Sequence, residues 1–446
     1  MTTIQQHFGF SVRWNILESV WYQVLLFGHQ YALYSLLPAT DYGLIGTYFS
    51  LVYLSIQIFN IGLDKSMSPY FADAIQSKQS AYAILIQPIV WHFLFLFSIV
   101  SCGLIGIYYN HIISLSLGLL LGCMCISEAL KKSVRSLLHC AFRHDITTII
   151  ELITISSYIL CIWLYYYMGY QLDTYALLIP MVITSIISLI GLIYYAYQWF
   201  INLPDTNNRR IPISLHRMIR HRLGVYGTQL STLFFSSNFL VPLFAWQYGL
   251  EYAAVLKLIG YLHHVLHTII HKIVGSSLYS CFAALKYERF HIKYHFFNQV
   301  TYYVYQLLYG IFIFIAVNYY HVVSFKDISV TSPLFLIGYL FFIAILIENF
   351  LVSYEQLYQA EEKTSYLNSI NSICLFVLLL FCLTPIITYP AYFLTFFIII
   401  RSIAIMCIAW HAYCCWSIPI QYAPQFATIL YAFLCSTFFF ALMQQL

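Results

Sequence analysis

Residues 174–201 read TYALLIPMVITSIISLIGLIYYAYQWFI, twenty-eight residues without a charged side chain. A helix crosses the hydrocarbon core of a bilayer with about 20 residues, so this stretch is long enough to span. Its apolar character is continuous rather than alternating, which excludes a strand of a membrane barrel. Equivalent stretches lie on either side of it: 14–37, 43–66, 82–108, 113–139 and 146–168 before, and 224–246, 252–282, 299–319, 333–359, 366–384 and 391–411 after. The expected fold is therefore all-α, a polytopic membrane protein of about twelve transmembrane helices. A last apolar stretch, 425–443, follows Pro419 and Pro424 and is either a thirteenth span or an interfacial helix.

Composition agrees. Only 8% of the 446 residues are charged and 61% are hydrophobic, with a mean hydropathy of +0.79. A soluble chain carries about 25% charged residues to dress its surface. The first apolar stretch is too long for a signal-peptide core and lacks a small-x-small cleavage site. The twelve cysteines are scattered, mostly within apolar segments, without zinc or haem spacing. They read as small buried apolar residues, and the sequence calls for no metal and no cofactor.

The placement of positive charge gives an orientation. With the N-terminus in the cytoplasm, the cytoplasmic segments hold twelve Lys and Arg, whereas the opposite loops hold only Lys326. That bias follows the positive-inside rule and places the chain in the cell inner (plasma) membrane. The largest cytoplasmic connection, Asn202 to Leu223, carries five arginines and follows the sixth span. It reads as a linker facing anionic lipid headgroups, with no nucleic-acid role.

The two halves resemble each other. Leu36-Leu37-Pro38 followed by Tyr42-Gly43-Leu44 opens the second span; Leu240-Val241-Pro242 followed by Tyr248-Gly249-Leu250 opens the eighth. Glu128 and Ser133 on span four match Glu348 and Ser353 on span ten. Each half keeps six spans, so the copies share one topology and are related by an axis along the membrane normal. The expected organisation is an N-lobe at 1–205, a C-lobe at 206–416 and a C-terminal apolar segment at 417–446.

The stretch Leu36-Leu37-Pro38-Ala39-Thr40-Asp41-Tyr42-Gly43, an apolar run, and then Asn60-Ile61-Gly62-Leu63 resembles the start of the polysaccharide (O-antigen, Wzx-type) flippases. Those belong to the multidrug/oligosaccharidyl-lipid/polysaccharide (MOP) exporter superfamily. Arg or Lys often precedes the turn in that family, whereas Tyr34 and Ser35 stand here. The resemblance implies a transporter rather than an enzyme: a flippase for a polyprenyl-diphosphate-linked oligosaccharide that works with the polysaccharide assembly machinery. In terms of packing, Pro38 and Gly43 are expected to make a tight outer turn, and Gly62 to let neighbouring helices approach.

An ionisable side chain at mid-membrane costs roughly 2.5–3.5 kcal/mol on insertion scales, so such residues face a cavity or a partner. Span four carries Glu128, Lys131, Lys132, Arg135 and His139 on one helical face. Span ten carries Glu348, Glu355 and Gln359 on one face, so that Arg135 corresponds to Glu355. The two stripes are candidates for a breakable gate; a permanent ion-pair network, or lysines and arginine snorkelling to the headgroups, is the alternative. Span eight aligns Lys257, Tyr261, His264, Thr268 and His271, with Lys272 near that face. This is a candidate cationic wall for a diphosphate, since lysine binds phosphate as a point charge and histidine donates to sugar hydroxyls or carries protons. His263, His267 and His271 also have i, i+4, i+8 spacing, which suits a metal less well than it suits bonds to neighbouring helices. Lys65 either pairs with Asp64 or guides a substrate head. Arg401 on span twelve faces either a cavity or another helix. Glu18 and His29 are a candidate proton site, with Glu18 expected to pair with Arg13.

The competing readings are an H⁺- or Na⁺-coupled drug or metabolite exporter of the same superfamily, a major-facilitator transporter, and a polymerase or ligase of the membrane. An acidic N-lobe site favours the exporter, while the cationic face of span four favours an anionic substrate. The charged loop of major-facilitator proteins has no match between Ser66 and Ala81. The outside loops are too short to carry the active site of a polymerase.

Overall fold

The computed structural model describes residues 2–63, 78–110, 113–141, 143–203, 215–270, 333–351, 354–355, 357–358, 364–382 and 389–416. All ordered elements among them are helical. They are α1 (Thr2–Leu36), α2 (Ala39–Phe59), α3 (Gln87–Asn110), α4 (Leu115–Cys140), α5 (His144–Tyr167), α6 (Thr174–Ile201), α7 (Leu215–Leu233), α8 (Ser237–Gln247), α9 (Leu250–Ile270), α10 (Pro333–Glu348), α11 (Thr364–Cys382) and α12 (Pro390–Trp416). A short helix, Lys78–Ala81, and a π-helical turn, Tyr82–Ile86, lead into α3. Seven of the described helical segments are long and apolar enough to cross a membrane: α2, Lys78–Gly106, α5, α6, Pro333–Leu351, Thr364–Phe381 and α12. The fold is that of a multi-pass membrane protein.

The chain divides into two compact units. Unit 1 comprises Met1–His29 and Tyr48–Leu233; unit 2 comprises Gln30–Thr47 and Phe234–Leu446. Helices α1 and α2 each pass from one unit into the other along their length. In unit 1, α4 packs on α3, α5 and α6, and α5 packs on α6. In unit 2, α9 packs on α8 and α10, while α12 packs on α10 and α11.

The burial pattern is that of a helix in lipid. Helix α6 buries Thr184, Ser185 and Ser188 while Ile183, Ile187 and Ile190 lie exposed. Water would reverse that choice; hydrocarbon does not, because isoleucine loses nothing there and the buried Thr184 and Ser185 hydroxyls find partners. Asp173 caps α6 by accepting from the Ala176 amide at 2.7 Å, and Ser114 caps α4 by accepting from Leu117 at 3.3 Å. Helix α10 is apolar all round and is accordingly central: 88% of its most apolar window is buried, against 22% for α11. Phe244, Phe341, Phe393 and Phe397 fill the core around it.

Three local features differ from the sequence reading. Gly43, expected in the outer turn, lies inside α2; the turn is made by Leu37 and Pro38 alone. The expected span 224–246 is two helices, because Ser236 adopts an extended conformation (φ −85°, ψ 155°) and restarts the chain as an N-cap. The second half of the basic linker is helical, since α7 already begins at Leu215. Gly62 does approach a neighbour. It has φ +67°, and a Cβ there would lie 3.0 Å from the Arg222 carbonyl oxygen and 3.2 Å from the Tyr226 nitrogen.

Candidate functional site

Unit 1 holds a polar network built from α1, α4, α5 and α6. On α4, the Lys131 ammonium donates to Glu128 Oε1 at 2.7 Å, one helical turn away, and lies 3.8 Å from Glu151 on α5. One turn further, Arg135 is bonded to Glu18 of α1 and lies 3.7 Å from the other oxygen of Glu151. Thr148 donates to the second Glu18 oxygen at 3.4 Å. Ser185 of α6 donates to Glu128 at 2.7 Å. His139 accepts from Arg135 Nε at 3.5 Å and lies 3.0 Å from the Thr147 hydroxyl. Glu18 and Glu151 are almost wholly enclosed, with side chains 3% and 4% exposed, whereas 24% of the Arg135 side chain remains accessible.

The cationic stripe of span four is therefore compensated by three glutamates, two of them from other helices. Glu18 meets Arg135, because the face of α1 that carries it turns toward α4 and α5; the side chain of Arg13, its expected partner, lies outside the described residues. Glu151 escaped the sequence reading altogether, although it is an ionisable residue within span five and the same rule that picked out Glu128 selects it. Ser185 and Thr148 carried no comparable signal, since serine and threonine are common in membrane helices.

Unit 2 holds a second, smaller polar site. Arg401 of α12 is 0% exposed. Its Nη2 donates to Glu348 Oε2 at 2.6 Å, and its Nε is bonded to the other carboxylate oxygen. Its Nη1 donates to Asn371 Oδ1 of α11 at 2.8 Å. The guanidinium carbon stands 3.9 Å over the Phe235 ring. The planar fork is thus satisfied on three sides and stacked on the fourth, which is the arrangement a desolvated arginine requires. Of the two expectations for Arg401, the bond to another helix is the one realised.

These two sites are built at matching stations. Glu128 and Glu348 are 220 residues apart, as are the first residues of α5 and α11, His144 and Thr364, and as are Glu151 and Asn371. The first residues of α6 and α12, Thr174 and Pro390, are 216 apart, and so are Ser185 and Arg401. Glutamate on the first helix, Glu or Asn on the second, and Ser or Arg on the third meet in both units.

Lys257 of α9 is 6% exposed. Its ammonium lies 4.8 Å from the Tyr261 ring centroid. Its stem packs on α2, where a Cβ on Gly46 would come within 2.8 Å of Lys257 Cγ. His264, on the same helix, is exposed. Lys132 and Glu355 are half-buried. Lys65, His271 and Lys272 lie outside the described residues. Among the described residues no group of three or more His, Cys, Asp or Glu side chains is placed to hold a metal ion.

No family model and no curated protein matches the sequence. Solved structures do match the fold over most of the chain. One is a multidrug resistance MATE family transporter of the MOP superfamily in an inward-facing conformation, with TM-score 0.64 and 11% identity over 88% of this chain and 95% of that one. An outward-facing conformation of such a transporter matches with TM-score 0.58 and 11% identity, over 91% and 95% of the two chains. A MOP superfamily transporter from Pyrococcus furiosus, described as having a binding pocket of reverse polarity, matches with TM-score 0.53 and 10% identity over 90% and 95%. This chain has the fold of the MATE transporters of the MOP superfamily.

Proposed function

We propose that the protein is a flippase that carries a polyprenyl-diphosphate-linked oligosaccharide across the inner membrane by alternating access. The observation that carries this reading is Lys257, a buried cation on α9 backed by an aromatic ring. A lysine meets a phosphate as a point charge, which suits the diphosphate of such a head group. The Leu-Pro turn and Gly-Leu motifs around α2 support the same reading by resemblance. The fold suits it as well, since solved neighbours adopt both inward- and outward-facing conformations. One neighbour is described as having a binding pocket whose reverse polarity suggests a different function, so a function other than multidrug export has a precedent on this fold. On this reading the N-terminus is cytoplasmic, and Lys272, His271, Lys65 and His264 are further candidates for contact with the substrate. Direction is set by substrate supply and removal or by an H⁺ or Na⁺ gradient.

Complementation tests this. The gene is expressed in a strain lacking its O-antigen or capsule flippase, as wild type and as Lys257→Met, which keeps the length of the stem and removes the charge. Restored surface polysaccharide that disappears with Lys257→Met supports the reading; polysaccharide that persists with Lys257→Met sinks the role of the lysine.

A second reading, an ion-coupled exporter of drugs or metabolites, is favoured by the three glutamates of the unit 1 network. Drug efflux that collapses with the proton or sodium gradient, with no complementation of any flippase mutant, would establish it instead.

A further inference from the structure

The first turns of α7 are clamped on one side and bare on the other. On the clamped side Gly62, just past the end of α2, approaches so closely that a Cβ there would lie 3.0 Å from the Arg222 carbonyl oxygen. The turn that delivers it has two consecutive residues of positive φ, Ile61 at 48° and Gly62 at 67°. The first is costly for a β-branched side chain, so the approach is built against local preference. Tyr226 donates to the Ile58 carbonyl at 2.7 Å, and Arg222 Nη2 donates at 3.4 Å to the Ile84 carbonyl in the π-helical turn before α3. Val225 and Thr228 are buried. On the bare side Ile219, Arg220 and Leu223 are all exposed. Spacings of three and four residues make them neighbours on the helix surface. Arg220 also differs from the other arginines whose side chains are described. Arg135, Arg143, Arg222 and Arg401 each bond a carboxylate or a backbone carbonyl, whereas among the described residues Arg220 has no such partner.

We propose that this face of α7 is a binding site for one anionic phospholipid, with Arg220 on the headgroup phosphate and Ile219 and Leu223 along an acyl chain. The depth follows from the sequence. His216, Arg217, Arg220, His221 and Arg222 crowd the first two turns, whereas Leu223–Leu233 carries no charge. Arginine avoids the hydrocarbon core, so this change of character falls at the boundary between headgroups and hydrocarbon. The guanidinium fork takes two phosphate oxygens at once. The exposed isoleucine and leucine choose the source of that phosphate: a free phosphate has nothing to place against them, whereas a phospholipid carries its chain there. The clamp to α2 fixes the face before the lipid arrives, which lowers the ordering cost of binding. A diffuse attraction between the basic linker and anionic headgroups treats all its arginines alike; a built site singles out Arg220. The lipid is a ligand other than the transported substrate, and the site does not depend on the function proposed above.

The test is thermal melting of the full-length protein in a neutral detergent, titrated with phosphatidylglycerol, with phosphatidylcholine of the same chain length, or with inorganic pyrophosphate. Phosphatidylglycerol is expected to raise the melting temperature, and the other two to leave it unchanged. Arg220→Gln is expected to raise the phosphatidylglycerol concentration needed for half the effect roughly fivefold, the share of one arginine at a charged surface. Leu223→Ser should move it in the same direction. Arg143→Gln is the control: it removes an exposed arginine that is already paired with Asp145 at 3.3 Å, and should leave the titration unchanged. The same rise with both arginine variants makes the attraction one of overall charge and overturns the site, as does a wild-type response in Arg220→Gln. A shift with pyrophosphate overturns the lipid in favour of an anion taken from water. An equal shift with phosphatidylcholine, or none with phosphatidylglycerol, overturns the recognition of an anionic headgroup. Should Arg220→Gln yield no folded protein, the wild-type titration decides by itself, since its three additives separate a lipid from a free anion and a charged headgroup from a neutral one.

Discussion

At the Arg401 site of unit 2 one guanidinium gathers the polar partners; in unit 1 the matching stations are spread over five charged side chains. Arg401 takes all its partners at once, from α10, α11 and the turn before α8, and is wholly removed from solvent. Lys131 and Arg135 instead share Glu128, Glu151 and Glu18, with one bond short and the next long: 2.7 Å and then 3.8 Å for Lys131. The difference is one of bond length. Arg401 holds both Glu348 oxygens and Asn371 through short bonds, and so behaves as a strut. A network in which each cation has two acceptors passes from one to the other without leaving a bare charge. The matching stations thus carry one rigid and one adaptable arrangement of charge.

The comparison breaks most readily at Arg401. Arg401→Leu leaves the half-buried Glu348 without its counter-charge, at an expected cost of about 3 kcal/mol. Little monodisperse protein should survive extraction, as read by fluorescence-detected size exclusion and thermal melting in detergent. Arg401→Lys should recover only part of the loss, because an ammonium cannot span both Glu348 oxygens and Asn371 together. Arg401→Leu combined with Glu348→Leu should recover most of it, since the buried charge goes with its partner. A single Arg401→Leu variant that melts like wild type would show that the pair is no strut.

The corresponding change in unit 1 should be milder. Arg135→Leu leaves Glu18 with Thr148 and leaves Glu151 with Lys131, so a loss of about 2 kcal/mol is expected. A double-mutant cycle of Arg135→Leu with Glu18→Gln should give a coupling of roughly 1–2 kcal/mol. Transport is expected to fall further than stability does, if partner exchange is part of the cycle. Equal melting losses for Arg135→Leu and Arg401→Leu would erase the distinction between the units.

How much of this was legible in the sequence follows from what determines each feature. Unbroken apolar runs such as 174–201 answer to the bilayer alone, so the helical membrane fold could be read directly. The likeness of Tyr42-Gly43-Leu44 to Tyr248-Gly249-Leu250 does not extend to the backbone: Gly43 lies inside α2, whereas Gly249 has φ +106° and makes the turn into α9. The partners of the charges were not legible. Which glutamate meets Arg135 depends on the rotation of α1 and α5 about their axes, and spacing along one helix carries no information on that. Arg401 and Glu348 were both singled out, but as members of different groups, since 53 residues separate them. Glu151 was missed for a different reason: it stands without charged neighbours on its own helical face, so no stripe drew attention to it.

The acceptor Glu151 sharpens the comparison further. Its counterpart Asn371 makes one bond of 2.8 Å to Arg401, whereas Glu151 stands 3.7 and 3.8 Å from two cations. Long contacts imply that Glu151 shares charge rather than fixing geometry. Glu151→Gln is therefore expected to cost about 1 kcal/mol, and Asn371→Ala, which removes a short bond to a buried charge, about 2 kcal/mol. The melting temperatures of the two variants should fall in that order, and the reverse order would contradict the assignment of rigid and adaptable roles.

The smallest expected effect is at Ser185, which occupies in unit 1 the station of Arg401. Its hydroxyl gives its one proton to Glu128 and lies 3.0 Å from the Ser127 hydroxyl. Ser185→Ala leaves Glu128 its short bond to Lys131, so the loss in stability should be about 1 kcal/mol or less. A neutral hydroxyl at this station makes unit 1 depend on Lys131 and Arg135 of α4 for its positive charge, while unit 2 draws its own from α12. If Ser185→Ala melts near wild type and still transports, the hydroxyl only completes the coordination of Glu128. If it melts near wild type but abolishes transport, Ser185 takes part in the exchange of partners, and the adaptable character of unit 1 reaches into α6.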